Sequence, residues 1–245
     1  MRALLLRFEA PLMSFGAVCV DSRGPTWDHP TLSQVTGLIA NALGYDHADA
    51  ERLQRLQERL RLASRVDRQG SRQADYHTVD LDPTTSPWMK EGWTTRGALE
   101  GRGGGKDARE GTHIRLRDYH ADRIQTLAVT LDPADEAPTV DACAEALRLP
   151  ARPLFIGRKP CLPSRPIFFD LRDASDLHGA LNCCPRHPRA DSGPLPVCWP
   201  DDGSPKARDE RTVPIVDERD WSAQLHSGRR LLRLGRVNPP ETTHV

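Results

Sequence analysis

The chain carries no net charge: across 245 residues, 34 Lys and Arg balance 34 Asp and Glu. That balance excludes a global field drawing the protein to nucleic acid or a membrane, so a polyanion site must come from local segregation of charge. Long hydrophobic runs are also missing. The N-terminal stretch offers only Ala3 to Leu6 before Arg7, too short for the core of a signal peptide and far too short to span a bilayer. A cytoplasmic location is therefore expected. The six cysteines have no disulfide-framework spacing and no C-x-x-C pair, and a reducing compartment would keep them as thiols. Cys183, Cys184, His187 and Cys198 cluster in sequence, but adjacent cysteines fit one tetrahedral ion poorly, so no metal and no other cofactor is expected.

Nucleotide and nucleophile signatures fail as well. Gly105-Lys106 is followed by Asp107 instead of a hydroxyl, and Glu100 stands where a P-loop needs glycine. Gly103, Gly105 and Ala108 fit a looser dinucleotide pattern, yet no apolar strand precedes them. His29, His47, His77, His113 and His120 are scattered, and no serine or cysteine sits in a nucleophile elbow. A metal-free ribonuclease could still be assembled from Tyr45, Lys106 and His113. No small-molecule substrate is indicated.

A hydrophobic fraction of 38% with 28% charged residues suits a globular fold with a real core. Charge is segregated along the chain. Glu51 to Arg72 holds seven arginines against Glu51, Glu58 and Asp67, whereas the region from Asp170 to Asp220 is acid-rich. One face for a nucleic acid and another for a protein partner would fit that pattern, and a pure protein adaptor docking a basic partner is a further option.

Periodicity supplies the elements. Arg2 to Glu9 predicts a first strand. Val35, Leu38, Ile39, Ala42 and Leu43 predict an amphipathic helix, with a Thr31/Gln34 capping box and Gly44 as its C-terminal stop. A second helix is predicted over Ala50 to Leu62 with its arginines outward, then strands at Ser64 to Arg68 and Tyr76 to Leu81. Periodicity disappears from Asp82 to Gly111 and returns with His113 to Asp118 and the strand Arg123 to Leu131. A third helix covers Thr139 to Leu149. Strands are predicted at Arg152 to Gly157 and Pro166 to Leu171, and near Thr212 to Val216 and Arg230 to Val237. The order strand, helix, strand, strand, helix, strand is the ferredoxin-like (RRM-like) α+β plan, whose open sheet face commonly serves single-stranded RNA. Residues 1–160 would form that domain, and 161–245 a small, mainly β C-terminal region.

Two stretches suit a phosphate backbone: RVDRQGSRQADYHT from Arg65 to Thr78, and LFIGRKPCLPS from Leu154 to Ser164. These motifs, with FEAPLMSFG (Phe8 to Gly16), HPTLSQVTGLIANALG (His29 to Gly44), RLRDYHADRIQTLAVTL (Arg115 to Leu131) and ALRLPARPLFIGRKPCLPS (Ala146 to Ser164), occur in an order that resembles the CasD family of type I-E CRISPR Cascade subunits. Trp221 and RRLLRLGRV (Arg229 to Val237) are similar to that family's closing strand. Two positions depart from the pattern: Tyr45-Asp46-His47 follows the first helix, and Phe15-Gly16 stands where Trp-Gly is usual.

The resemblance implies a non-catalytic RNA-binding subunit. It would bind and cap the 5′ handle of the CRISPR RNA beside CasC backbone subunits and the large CasA subunit, in antiviral defence. It also implies an inserted thumb hairpin over about 82–117. Arg65, Arg68, Arg96, Arg102, Lys106, Arg109, Arg115, Arg158 and Lys159 are then the expected phosphate ligands, and Phe15, His113 and Tyr119 the expected base contacts. The rival is a metal-independent endoribonuclease that processes CRISPR repeat RNA.

Overall fold

The computed structural model describes residues 1–19, 22–80, 91–93, 99–101 and 112–242. In chain order the strands and helices are β1 (Arg2–Glu9), β2 (Leu12–Met13), β3 (Arg23–Gly24), α1 (Leu32–Ala42), α2 (Ala50–Arg59), β4 (Leu60–Arg68), β5 (Ser71–Asp80), β6 (Glu91–Trp93), β7 (Leu99–Gly101), β8 (Thr112–Ala121), β9 (Ile124–Leu131) and α3 (Val140–Arg148). They continue as β10 (Phe168–Asp173), α4 (Leu177–Cys183), β11 (Leu195–Pro200), β12 (Arg211–Ile215), β13 (Glu218–Asp220), β14 (Leu225–Ser227) and β15 (Arg230–Val237).

A seven-stranded sheet in the order β10-β1-β9-β4-β11-β15-β12 organises the molecule, with every neighbouring pair antiparallel. Alternation along the strands sorts the side chains. Leu4, Leu6 and Phe8 of β1, Leu60 and Leu62 of β4, and Leu127, Val129 and Leu131 of β9 join the main core with α1, α2 and α3. The intervening Ala3, Leu5, Ala63 and Ala128 pack with Leu177, Ala180 and Leu181 of α4. The second face, expected to be an open platform for RNA, is therefore covered by α4 and the segment after it. Because β10 pairs with β1, and β11, β15 and β12 extend the same sheet beyond β4, a boundary at residue 160 does not separate two sheets.

Helix α1 forms where its spacing predicts it. The Thr31 hydroxyl accepts from the Gln34 N–H at 3.2 Å, but the Gln34 amide donates to the Ser14 carbonyl and does not reach back to Thr31. The other exposed helix donors are taken by Asp217, whose carboxylate accepts from Leu32 N–H at 2.8 Å and whose carbonyl accepts from Ser33 N–H at 3.1 Å. Asp217 is itself buried and clamped by Arg230 at 2.6–2.7 Å. A carboxylate read from sequence as part of an acidic docking surface is thus an internal cap, placed where the helix dipole favours negative charge.

Helix α2 is shorter than predicted. The chain enters β4 at Leu60, because Leu60, Leu62 and Ser64 alternate inward and pair with β9, which outweighs another helical turn. Arg59, expected outward, is buried; it donates to the carbonyls of Pro133 and Glu136 at 2.7 and 2.5 Å. No strand forms over 152–157, and α4, β11 and the β13–β14 hairpin were not predicted. Among the described residues, no helix is long and apolar enough to cross a membrane.

Candidate nucleic-acid interface

Between β4 and β9 the chain leaves the main sheet at Gly70 (φ +62°), where a Cβ would stand 2.3 Å from the Ala121 carbonyl, so only glycine fits. Strands β5 and β8 then run antiparallel for ten residue pairs, from Ser71↔Ala121 to Asp80↔Thr112. β2 and β3 flank β8 in the same sheet. The thumb expected over about 82–117 falls, in chain order, within this connection and lies mostly outside the described residues. Its basic residues Arg96, Arg102, Lys106 and Arg109 lie outside the described residues; His113 and Arg115 sit on β8, opposite Val79 and His77.

The root of this hairpin is locked by the Gly-Arg-Lys-Pro turn. Gly157 has φ +99°, and a Cβ there would come within 2.0 Å of the Ser14 carbonyl. Cys161 N–H closes the turn on the Arg158 carbonyl at 2.9 Å. The Arg158 guanidinium donates to the carbonyls of Asp118 (2.7 Å), Gly24 (2.8 Å) and Pro25 (3.4 Å) and lies 4.8 Å from the Tyr119 ring centroid. It ties the turn, the loop before α1 and β8 together, so it is a positioning residue in place of the expected phosphate ligand. Lys159, next in the chain, is exposed.

Three further expectations are corrected by burial. Arg65 has a side-chain exposure of 0% and donates to the carbonyls of Leu181, Cys184 and Pro185 and to Asp67. No phosphate can reach it. Phe15 and Tyr119 are buried too, at 0% and 1% exposure, Phe15 packing its ring 5.2 Å from that of His120. Neither presents a face to a base. Arg68 remains partly exposed at 33% and pairs with Asp122 at 2.6 Å.

The members of the ribonuclease trio lie on different elements or outside the described residues. Tyr45 packs under the Arg52 guanidinium beside α2, His113 belongs to the separate sheet of β8, and Lys106 lies outside the described residues. The cysteine cluster diverges: Cys183 is exposed, Cys184 faces Arg7, and Cys198 contacts the Ser64 hydroxyl at 3.2 Å. Among the described residues no three His, Cys, Asp or Glu side chains converge as metal ligands.

A cleft of about 480 Å³ opens between the loop before α1 and the β9-β4-β11-β15 part of the sheet. Trp27 and His29 form one wall, with ring centroids 6.1 Å apart; Val66, Leu234 and Gly235 line the other side, and Arg211 and Arg236 stand at it, both exposed. The loop is held by three cations or rings beneath it. Arg72 donates to the Thr26 carbonyl and to Asp28, His120 Nε2 lies 2.8 Å from the Trp27 carbonyl, and Arg123 donates to the Asp28 carbonyl at 2.5 Å. Burial pulls the Arg123 guanidinium down to about 10, which leaves it charged at neutral pH, and pulls His29 down to about 4, which leaves it neutral.

Of these residues only His29 and His120 were named from sequence, among the scattered histidines and without a role at this cleft. A signal was available in β9 and the residue before it: Arg123 and Gln125 continue, two residues apart, the face that Leu127, Val129 and Leu131 bury.

Comparison with known proteins decides the family. The model described as CRISPR-associated protein (Cas_Cas5) matches residues 3–233, nearly the whole chain. The chain belongs to the CRISPR-associated Cas5 family. Within curated proteins it is similar to the Cascade subunit CasD of Escherichia coli (strain K12), 28% identical over 178 residues that cover 73% of this chain and 75% of CasD. Two solved structures share the fold at 24% identity. One is a chain of a CRISPR RNA-guided surveillance complex (TM-score 0.66, covering 97% of this chain and 91% of that one). The other is a crystal structure of a Cas protein (TM-score 0.63, covering 98% of both). In this Cas5 family member the Gly157 turn, the root of β8 and the loop before α1 form one connected unit.

Proposed function

We propose that this Cas5 family chain is the non-catalytic subunit of a type I-E CRISPR surveillance complex that binds and caps the 5′ handle of the CRISPR RNA. The observation that supports the reading is the β5–β8 hairpin, rooted by Gly70, Gly157 and Arg158, between whose strands the basic segment 94–117 largely falls in chain order. The β1-α1-β4-β9-α3-β10 set is read as the ferredoxin-like plan, with the hairpin as its thumb over about 82–117. Lys159 and Arg68 near the hairpin root, with Arg115, Arg96, Arg102, Lys106 and Arg109 further along it, serve phosphates, and His113 a base edge. CasC backbone subunits and the large CasA subunit are the neighbours, and the complex works in the cytoplasm. Inward-turned arginines, the buried Arg65 and the half-buried Arg158, support the RNA-binding parts from beneath.

Co-purification with the neighbouring subunits tests this reading. RNAs of uniform length sharing one 5′ end are expected in the complex. Absence of RNA would favour a protein adaptor, and metal-independent cleavage of repeat RNA that depends on Tyr45, Lys106 or His113 would establish the nuclease instead.

A further inference from the structure

The cleft beneath Trp27 is not explained by the hairpin, the turn or the main core. Its volume of about 480 Å³ lies within the range of sites for small organic groups, about 300–1,000 Å³. Its chemistry is mixed in a particular way. Trp27 is 37% exposed although both its main-chain groups are bound, N–H to the Phe15 carbonyl at 2.9 Å and carbonyl to His120. The indole is therefore held in place and yet displayed. Opposite it, Val66, Leu234 and Gly235 give an apolar surface, and a Cβ at Gly235 would stand 3.0 Å from Trp199, so the strand passes close there.

Polar groups sit at the edges. His29 lines the wall, its Nε2 fully buried and without a hydrogen-bond partner among the described residues. Arg211 and Arg236 are exposed along the opposite rim, Arg236 donating to the Pro194 carbonyl through its Nη1 at 2.9 Å. An aromatic face, an apolar counter-face and two rim cations match a flat heterocycle attached to a phosphate chain.

We propose that this cleft captures one unstacked nucleobase of the bound RNA, with Trp27 stacking on its face, His29 backing Trp27 in the same wall, and Arg211 and Arg236 meeting the flanking phosphates. The inference rests on the RNA-binding reading above and adds a base-stacking site separate from the hairpin. Arg72, His120 and Arg123 are positioning residues, since they hold the loop that carries Trp27 and His29. The site is pre-formed, so binding a base does not require the loop to be ordered first.

The test uses the full chain and the RNA recovered from the assembled complex, resynthesised with a single abasic residue stepped along its length. One abasic position is expected to weaken binding to the wild-type protein about ten-fold, the scale of one base–aromatic stack. Trp27→Ala should weaken binding of intact RNA by a similar factor, show no further loss at that abasic position, and keep the wild-type melting temperature. Trp27→Phe should restore most of the affinity. The proposal is overturned if RNA binds and Trp27→Ala leaves its affinity unchanged, or if every abasic penalty is the same in wild type and variant. Failure of the wild-type complex to carry RNA would instead remove the RNA-binding reading itself.

Discussion

Replacement of Arg65 by methionine separates a structural arginine from a phosphate ligand. In the folded chain Arg65 donates to Leu181 O at 2.5 Å, Cys184 O at 2.6 Å, Pro185 O at 3.1 Å and Asp67 at 2.8 Å, with both side chains at 0% exposure. The two helix-end carbonyls would lose their donor. Asp67 would keep the Thr126 hydroxyl at 2.6 Å and the His187 N–H at 3.0 Å, but not its paired cation. Breaking a buried ion pair by removing one partner costs about 3–5 kcal/mol. For a chain of this size, each kcal/mol lowers the melting temperature by about 2–4 °C, so Arg65→Met should lower it by roughly 10 °C. Asp67→Asn should be destabilising too. The double variant should lose less than the sum of the two, because no charge is then left unpaired. Thermal unfolding of the RNA-free protein measures this directly. An unchanged melting temperature, combined with weaker RNA binding and a shallower salt dependence, would refute the reasoning and return Arg65 to the phosphate ligands.

Three more outcomes follow from the same geometry. Lys159→Ala should leave stability unchanged while reducing the slope of log affinity against log salt by about 0.7–1, whereas Arg158→Ala should lower stability by about 2–3 kcal/mol through its lost carbonyl bonds; paired melts and salt titrations check both. His29 is neutral when folded, held down to about 4 chiefly by burial, against about 6.5 in the unfolded chain. The unfolded state therefore binds the extra proton between those values, and up to about 3 kcal/mol of stability should be lost as pH falls from 6.5 to 4. His29→Gln should flatten that part of a melting-temperature-versus-pH curve, even though burial acts in the same direction on His120, His187 and His226. Native alkylation should modify Cys19 and Cys183 and spare the four buried thiols, of which Cys143 is pushed up to about 12 by burial; mass spectrometry before and after denaturation counts them.

Family membership and the central elements were legible in the sequence because local rules govern them. β1, α1, α3, β9 and β15 stand where periodicity, Thr31, Thr139 and Gly44 set them, since apolar spacing and capping act over a few residues. Gly157 could be read as a point of close main-chain approach, and it is one, 2.0 Å of clearance to Ser14 leaving no room for a Cβ. The end of α2 was not legible: the competing partner for Leu60 is Leu131, seventy-one residues away, and pairing across that distance has no local signature.

Charge gave the least information about place. Arg59, Arg65, Arg123 and Arg233 are all buried, their guanidiniums drawn to main-chain carbonyls or to Asp67 and Asp201, while Lys159 of the Gly-Arg-Lys-Pro turn is exposed. An arginine's long stem can serve either role, and only the packing of α4, the 132–138 loop and the C-terminal strands selects between them. By itself, then, the sequence determined the family, the main helices and strands and the position of the hairpin. Tertiary structure decided which cations face solvent, that α4 closes the second sheet face, and that Trp27 and His29 meet strands from the far end of the chain. The reason is physical: secondary structure answers to neighbours in sequence, whereas burial and the fate of a charge answer to neighbours in space.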